Sequence, residues 1–583
     1  MVQPLFPSRR RVLDLAHPHA SRWVDIILFC FIAALGYGVV RAAARWSEPL
    51  APGTTIDLSP SRLPLYAGLS TLRMAIAYII ALVFSLAYAR IAAASRSAER
   101  VMIPLLDILQ SIPILSFMPG VVLGLVALFP GRTIGLEFAA IILIFTSQAW
   151  NLAFSFHQSL RTIPPELSEA ATVYRLGFWR RFTRLELPFG AIALIANSMM
   201  SWAGGWFFLM ASEQFTLGNT SLRLPGLGSY LATAAEKGDI RAITLGLIAL
   251  IAIIVLLDQL LWRPLVAWSD LFKFEQSASA ETARSVMLDL LRISALIAWI
   301  RARLLVPVWR RLDPGLETAI RSRSRIGATV RTESRARRLA RNAAIGVAIA
   351  LVLWGAFAAA REMASLSARQ WGDVGVGAAA TFLRTSIALA LGAAWTIPAG
   401  VAIGMNPRWS RRVQPVIQVV ASVPATALFP VLLLALLALP GGLDIAAVAL
   451  MLLGTQWYVL FNVIAGAMSI PSELKEAAIN YRVTGWRRWR TLILPAIFPY
   501  LVTGMLTATG GAWNASIISE YVSFAGRTVS TVGLGSLIAG AADRGNFPLL
   551  LAATLVMAGI VIAVNRLVWR RLYVLAESRY RLQ

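Results

Sequence analysis

Cysteine, lysine and histidine are scarce in this chain, and their scarcity excludes several kinds of site. The one cysteine, Cys30, lies in an apolar run, so neither a disulfide within the chain nor a cysteine metal cluster is possible. Two histidines lie in the polar N-terminal tail and the third is distant, so no metal-ligand spacing occurs. Paired carboxylates, a nucleophile motif and the Gly-x-x-x-x-Gly-Lys-Ser/Thr loop that binds ATP are also missing. We therefore expect no catalytic residue, no metal and no cofactor bound by this chain.

Charged residues are also few, at 14% of the 583 residues, whereas 58% are hydrophobic. A soluble domain has about 25% charged and roughly 45–50% apolar residues, so this composition predicts a membrane protein in contact with lipid. The net charge of +25 does not predict nucleic-acid binding, because the arginines fall mainly between long apolar runs. Arginine-rich loops between spans are typical of the cytoplasmic side of membrane proteins.

Apolar runs of the length that crosses a bilayer, about 20 residues, recur along the chain. The predicted spans of the first half are 23–41, 66–93, 101–129, 136–160, 188–212 and 240–262. Those of the second half are 343–360, 377–404, 414–437, 443–465, 495–518 and 547–569. The arginine-rich loops are assigned to the cytoplasm, which also places both termini there. The sequence therefore predicts an all-α, polytopic membrane protein with twelve transmembrane helices.

The start of the chain and its middle leave alternatives open. Arginines at positions 9–11 precede the first apolar run, as in a signal peptide, but no clear small-residue cleavage site follows, which favours a retained span. The segment 270–342 separates a first half, 1–269, from a second half, 343–583. It carries twelve arginines between positions 301 and 341. It is either an amphipathic helix on the cytoplasmic leaflet or a solvated basic linker.

The two halves repeat one another in sequence, at a shift of 311 residues in the second span and of 307 further along. The matched pairs include Arg73 with Arg384, Trp206 with Trp513, Glu213 with Glu520, Gly226 with Gly533 and Gly228 with Gly535. Because equivalent points are six spans apart, both halves have the same orientation. The sequence thus predicts two parallel six-helix repeats related by an axis along the membrane normal.

The cytoplasmic loop after the fourth span also occurs twice, as PPELSEAATVYRLGFWRRFTRLELP and PSELKEAAINYRVTGWRRWRTLILP. Pro165 and Pro471 suit the first turn of a helix, and Pro188 and Pro495 are expected to stop the basic stretch that follows and to begin the next span. The first helix is expected to present one narrow apolar face, made of Leu167, Ala170, Ala171 and Tyr174. Such a helix either lies on the lipid headgroups or docks a cytoplasmic partner, and its duplication favours docking.

These loops resemble the EAA loop of the permeases of binding-protein-dependent ABC importers. In that motif a proline stands nineteen positions after the glutamate, as Pro188 does after Glu169, and the second loop repeats this spacing. The motif's glycine, six positions after the glutamate, is replaced by Arg175 and Arg482. The proline spacing of the third spans resembles the nitrate/sulfonate/taurine branch of the family.

The resemblance implies a fused permease with the type I ABC importer fold. It implies as partners two ABC ATPase subunits, which bind ATP and magnesium in the cytoplasm, and a periplasmic or lipid-anchored substrate-binding protein. The implied location is the bacterial inner membrane, and the implied cargo is a small, anionic solute moved by alternating access. The implied ATPase-coupling residues are Glu166, Glu169, Ala170, Ala171, Tyr174, Arg175 and Gly177, with Glu473, Glu476, Ala477, Ala478, Tyr481, Arg482 and Gly485 in the second half.

Charged residues in or at the ends of spans, together with two tryptophans, are candidates for the solute pathway. These residues are Arg73, Trp206, Glu213, Arg384, Trp513 and Glu520. Snorkelling to the outer interface is an equal alternative for the two arginines. The Gly-Leu-Gly turns at 226–228 and 533–535 are expected to lie against the binding protein, and a net positive pathway is expected to suit an anion.

Two other functions stay open. A secondary transporter with two parallel six-helix repeats fits the number of spans equally well, but it does not explain the duplicated docking loop. A membrane scaffold without transport activity would have a waterless protein interface between its halves.

Overall fold

The structure is a computed structural model that describes residues 55–217, 220–269, 335–524 and 527–579, with a few isolated positions elsewhere. The predicted span 23–41 and most of the segment 270–342 lie outside the described residues. The helices of the first half are Leu63–Ala94, Arg96–Ser111, Ile114–Leu128, Ile134–Arg161, Pro165–Val173, Phe178–Arg181, Leu187–Ser212, Leu227–Lys237, Ile240–Leu257 and Arg263–Ser269.

The second half repeats this order of elements. Its helices are Arg335–Met363, Ala368–Gly404, Pro407–Ser422, Ala425–Leu436, Gly442–Met468, Ser472–Asn480, Gly485–Arg488, Leu494–Ser519, Leu534–Asp543, Phe547–Val564 and Arg570–Arg579. Each half also has one antiparallel hairpin that the sequence did not predict, Gln214–Leu217 with Thr220–Arg223 and Tyr521–Phe524 with Arg527–Ser530. These hairpins are small additions to an all-α, duplicated membrane fold, which confirms the predicted class.

Among the described residues, eight helices are long and apolar enough to cross a membrane, and two bent helix pairs bring the number to ten. These ten correspond to the predicted spans other than 23–41 and 343–360. The predicted span 343–360 lies inside the helix Arg335–Met363, which begins within the segment predicted as a linker.

The third span of each half is bent, a feature that the predicted spans 101–129 and 414–437 did not include. The two segments of the first half are bent by 93°, and those of the second half by 79°. The breaks fall just before Pro113 and Pro424, where the preceding residue is extended. A proline ring disfavours helical geometry in the residue before it, so each first segment ends there.

The basic stretch of the predicted docking loop continues into the fifth span without a break, which corrects the expectation that Pro188 and Pro495 stop this stretch and begin the span. Helical structure is continuous over Phe178–Ser212 and Gly485–Ser519. A π-helical turn stands before each proline, at Phe182–Glu186 and Trp489–Ile493. Single π-helical turns of this kind occur inside α-helices and change the backbone hydrogen-bond pattern locally, so the helix tolerates a residue without an N–H.

The two halves exchange contacts at the centre of the molecule. The fifth span of each half packs against the second segment of the other half's broken third span. Several hydrogen bonds between described residues cross the boundary. In two of them the side-chain oxygen of Asn514 accepts from the N–H of Leu115 at 3.2 Å, and the amide of Asn565 donates to Ser111 at 2.8 Å. The buried core around Trp206 includes Phe429 of the other half. The halves therefore share a core and enclose a common centre.

Candidate functional site

The two predicted docking helices are present at equivalent positions, as Pro165–Val173 and Ser472–Asn480. Pro165 is the first helical residue, as predicted. Pro471 instead caps the second helix from outside, so that helix begins one residue later than expected. The four acidic residues of these helices are solvent-exposed, namely Glu166, Glu169, Glu473 and Glu476.

The apolar face predicted for the first docking helix, from Leu167 to Tyr174, is split in the structure. Ala171 is buried, whereas Tyr174 follows the end of the helix and is 79% exposed. In the second loop Tyr481 is 83% exposed. A large aromatic side chain left in solvent beside exposed carboxylates, at the same place in both loops, is a surface that a partner would cover.

Both docking helices end in the same hydrogen-bonded motif, with an arginine where such a motif usually has glycine. Arg175 and Arg482 have positive φ angles, 48° and 52°. The N–H of Leu176 donates to the carbonyl of Ala171, and the N–H of Arg175 to that of Thr172, both at 2.9 Å. This is the Schellman arrangement, in which the left-handed position favours glycine. The two arginines therefore occupy the position that the EAA motif reserves for glycine, and they adopt its backbone geometry.

The first docking loop is attached to the second span by an ionic and aromatic cluster. Arg90 forms an ion pair with Glu186 at 2.9 Å, and its guanidinium lies 3.6 Å from the centre of the Phe178 ring. Arg181 extends the cluster, with an ion pair to Glu186 at 3.3 Å and a hydrogen bond to Ser168 of the docking helix at 2.9 Å. Both side chains of the Arg90–Glu186 pair are mostly buried.

The second docking loop is attached at the equivalent place by apolar packing. Val401 stands at the position of Arg90, shifted by 311, and Ile493 at that of Glu186, shifted by 307. Both are buried and belong to one hydrophobic cluster, against which Trp489 packs. The two loops thus present similar exposed residues on anchors of different chemistry.

The charged residues predicted for the pathway form a buried cluster in the first half. Arg73 binds Glu137 through two hydrogen bonds, at 2.6 and 2.8 Å, and Glu213 through a third at 2.7 Å. Ser70 also donates to Glu213, at 2.6 Å. The three charged side chains are at most 7% exposed, so Arg73 does not snorkel to an interface.

The second half repeats this cluster with one shorter acid. Arg384 binds Glu520 at 3.0 Å and Asp444 at 2.6 Å, and Thr381 donates to Glu520 at 2.8 Å. The side chain of Asp444 is 53% exposed, whereas that of Glu520 is fully buried. Thr531 donates a further hydrogen bond to Asp444, at 2.6 Å. The second cluster is therefore more open to solvent than the first.

The Gly-Leu-Gly turns hold these clusters, which corrects their expected position against a binding protein. Gly228 donates its N–H to Glu213 at 2.7 Å, and Gly535 to Glu520 at 2.9 Å. A Cβ atom at Gly226 would collide with the Glu213 carboxylate. Each turn is buried and opens a helix, whose N–H groups favour a negative charge.

Trp206 and Trp513 are each about 1% exposed and lie in two different hydrophobic clusters. Neither tryptophan lines the two cavities between the halves, which are described next. The charged residues of the clusters around Arg73 and Arg384 do not line these two cavities either. A pathway role for these six residues stays a prediction that their positions do not favour.

Two adjoining cavities, of about 400 and 440 Å³, lie between the halves. They share several wall residues, including Gly204, Tyr458, Gly511 and Asn514. Of the described residues that line them, none is Asp, Glu, Lys, Arg or His, while amides and hydroxyls are frequent. These cavities do not provide the net positive pathway that we expected.

A third cavity, of about 460 Å³, lies at the hairpins and contains charged groups. Its wall includes the ion pair of Arg223 with Glu236, and Tyr521, whose hydroxyl donates to Asp543 at 2.8 Å. Burial, followed by this hydrogen bond, raises the pKa of Tyr521 to about 12. Charge is therefore present at the hairpin end and absent from the two cavities nearer the docking loops.

Sequence reasoning missed the residues of the fourth spans. Trp150 and Asn151 correspond to Trp457 and Tyr458 at the shift of 307, and all four line the adjoining cavities. Glu137 corresponds to Asp444 at the same shift. The repeat itself was the signal that could have found them, because a tryptophan or an acid kept in both copies of one span invites a search for its role.

Cavities enclosed by the spans of two repeated halves are an arrangement that a membrane transport permease needs. The chain belongs to the family described as binding-protein-dependent transport system inner membrane component, whose model matches residues 81–261 and 396–582. One match falls inside each predicted half.

Curated relatives of the chain include permeases for three different small solutes. It is 25% identical over 190 residues to the nitrate import permease protein NrtB of Leptolyngbya laminosa, covering 33% of this chain and 64% of that protein. It is 24% identical over 197 residues to the bicarbonate transport system permease protein CmpB of Synechococcus elongatus, covering 34% and 68%. It is 25% identical over 184 residues to the taurine transport system permease protein TauC of Escherichia coli, covering 32% and 61%.

Proposed function

We propose that this chain supplies both permease halves of an ATP-driven importer in one polypeptide. Two ABC ATPase subunits, which bind ATP and magnesium, dock on the helices Pro165–Val173 and Ser472–Asn480. The single observation that carries this proposal is the duplication of an exposed, acidic and aromatic docking helix at equivalent places. Holding both halves in one chain keeps their local concentration high and fixes their pairing.

The continuous fifth spans give the ATPases a mechanical route to the cavity. Each span runs unbroken from its docking loop into the membrane, and each contributes residues to the adjoining cavities, such as Gly204 and Gly511. Closure of the ATPases on ATP draws the docking helices together. The stiff helices pass that movement to the cavity walls and switch the side to which the cavity opens.

The solute is small and polar, in keeping with the nitrate, bicarbonate and taurine named for the relatives. A periplasmic or lipid-anchored substrate-binding protein delivers it to the face opposite the docking loops. The chain lies in a bacterial inner membrane, with both termini and the docking loops in the cytoplasm, as the arginine distribution favours.

The alternatives account for less of the molecule. A scaffold does not need cavities of about 400 and 440 Å³ between its halves. A secondary transporter has no use for two exposed docking helices, and the family to which the chain belongs is defined by transport that depends on a binding protein.

Charge reversal in both docking helices tests the proposal. The double variant Glu169→Arg/Glu476→Arg, purified with the candidate ATPase subunits, is expected to lose their association. The exposed Glu362, outside both loops, provides the matched control, and Glu362→Arg is expected to retain both ATPases. Association of the double variant at the level of the control would contradict the proposed docking.

A further inference from the structure

Equivalent positions of the two fourth spans come together at the adjoining cavities. Asn151 and Tyr458, related by the shift of 307, both line the larger of the two, and each follows a tryptophan that also lines this space. The repeat thus places an amide and a phenol on the wall of one cavity, one from each half.

Tyr458 lies on the wall that the two cavities share, between glycines of the two fifth spans. A Cβ atom at Gly204 would be 3.2 Å from its hydroxyl oxygen, and one at Gly511 would be 3.6 Å from its ring. Larger residues there would displace the tyrosine. Within the described part of the chain no hydrogen bond engages the Tyr458 hydroxyl, so it can donate to a solute in the cavity.

Asn151 has one fixed partner and further hydrogen-bonding capacity. Its amide donates to the hydroxyl of Ser201, on the fifth span, at 3.0 Å. A side-chain amide offers two donors and an acceptor, so a solute can still bind to the groups that Ser201 does not use. The contact with Ser201 also orients the amide with respect to a span that continues into the first docking loop.

Charge does not contribute to this site. None of the described residues that line these cavities is Asp, Glu, Lys, Arg or His. Asp107, which accepts a hydrogen bond from the lining residue Gln110 at 3.0 Å, does not itself line them. A neutral polar site binds a solute weakly enough to release it, which transport requires. A cationic site would bind an anion more tightly and slow its exit.

We infer that Asn151 and Tyr458 contact the transported solute and hold it by neutral hydrogen bonds inside an uncharged cavity. The solute class is a small polar molecule or ion with oxygen acceptors, and its charge is selected elsewhere, on the binding protein. This inference rests on the proposed function, since it deepens the account of what the importer carries.

Thiol labelling tests the uncharged cavity without any ATPase or substrate. In a Cys30→Ala background, Asn151→Cys and Tyr458→Cys are exposed to anionic sulfonatoethyl methanethiosulfonate and to its cationic trimethylammonium analogue. Both thiols are expected to react, with the ratio of the two rates close to that of a free thiol. A cationic lining would favour the anionic reagent by about tenfold or more, and that result, or no reaction at either position, would overturn the inference. Val83→Cys, on an exposed helix face of the second span, is the control for a thiol that lines neither cavity.

Uptake by reconstituted importers tests the contact itself. Nitrate, bicarbonate and taurine are each supplied with the chain, its ATPases and its binding protein. Tyr458→Phe and Asn151→Leu are expected to reduce uptake of the carried solute by about tenfold, the usual cost of one lost hydrogen bond to a solute. ATP hydrolysis stimulated by the binding protein is measured in parallel, so that lost uptake is distinguished from failed assembly with the ATPases. Tyr500→Phe makes the same chemical change outside the cavities and should leave uptake unaltered.

The outcomes separate the two proposals. Unchanged uptake in both cavity variants would overturn the role of Asn151 and Tyr458 while leaving the importer intact. Absence of any ATPase-dependent uptake by the parent chain would instead contradict the proposed function, and thiol labelling would still decide whether the cavity is uncharged.

Discussion

The two halves share the arrangement of charges around their glycine turns and differ in how their docking loops are anchored. Far from the docking loops, Arg73 with its acids in the first half and Arg384 with its acids in the second form the same pattern of hydrogen bonds. At the docking loops, the ion pair Arg90–Glu186 of the first half is replaced in the second half by Val401 and Ile493, which belong to one hydrophobic cluster. The difference indicates which features both halves need. The geometry around the glycine turns requires specific charges. Attachment of a docking loop requires only a well-packed contact, which is either apolar or made of paired charges.

This comparison agrees with the energetics of buried charge. Replacing a whole buried ion pair by well-packed apolar residues is often neutral or stabilising, whereas removing one partner is costly. The second half contains the apolar solution already. The first half keeps the ionic one, and it is the half in which single substitutions at the loop anchor should be harmful.

The largest effect should come from the buried arginines. Arg73→Leu leaves Glu137 and Glu213 without their cation, and we expect it to lower the free energy of unfolding by about 3–5 kcal/mol. Arg384→Leu should cost less, because Asp444 is 53% exposed and water can solvate it. Thermal unfolding of the two variants in detergent measures the order, and an equal or larger loss for Arg384→Leu would contradict the difference between the halves.

The second largest effect should come from converting the ionic anchor of the first docking loop into the apolar anchor of the second. Arg90→Val alone leaves Glu186 with only the more exposed Arg181 as partner, and we expect a loss of about 2–3 kcal/mol. Adding Glu186→Ile recreates the apolar pair of the second half and should recover most of that loss. The coupling energy from a double-mutant cycle is the readout, and additive losses would show that the two anchors are not interchangeable.

The glycine turns should be intolerant of a single methyl group. Gly226→Ala and Gly533→Ala place a Cβ atom against a buried carboxylate, and we expect each to cost about 1–3 kcal/mol of stability. Gly124→Ala is the control, since nothing lies within 4 Å of a Cβ there. Unfolding midpoints of Gly226→Ala as high as those of the control would mean that the carboxylate moves away at little cost.

The smallest effect should be a gain. Arg175→Gly and Arg482→Gly relieve a left-handed backbone that costs a non-glycine residue about 1–2 kcal/mol. Hydrogen exchange of the Leu176 amide, which donates to Ala171, should slow by about fivefold in Arg175→Gly if about 1 kcal/mol is gained locally. Faster exchange would indicate that the arginine side chain itself stabilises the loop.

Much of the architecture follows from the sequence because length and composition determine it. A run of apolar residues long enough for a bilayer predicts a span whatever surrounds it, and the glutamates after Pro165 and Pro471 mark a helix start locally. The bends before Pro113 and Pro424 were missed because hydropathy does not measure direction. Pro188 was expected to stop the basic stretch and begin the fifth span, but the helix starts earlier and a π-helical turn accommodates the proline.

The site was less accessible to sequence reasoning because its parts meet only through tertiary packing. Arg73 and Glu213 were singled out as charges at spans, but their partnership across 140 residues depends on how three helices pack. The cavity wall is neutral, so a search for charges could not find it. Asn151 and Tyr458 are ordinary residues for a span until the packing of the two halves places both on the wall of one cavity.

Solute uptake into proteoliposomes tests the central claim most directly. The chain, reconstituted with its binding protein, is compared with and without the ATPase subunits and ATP, using nitrate, bicarbonate and taurine as probes. The account predicts uptake only when both ATPases and ATP are present, and its loss in Glu169→Arg/Glu476→Arg. Uptake that continues without any ATPase would contradict it.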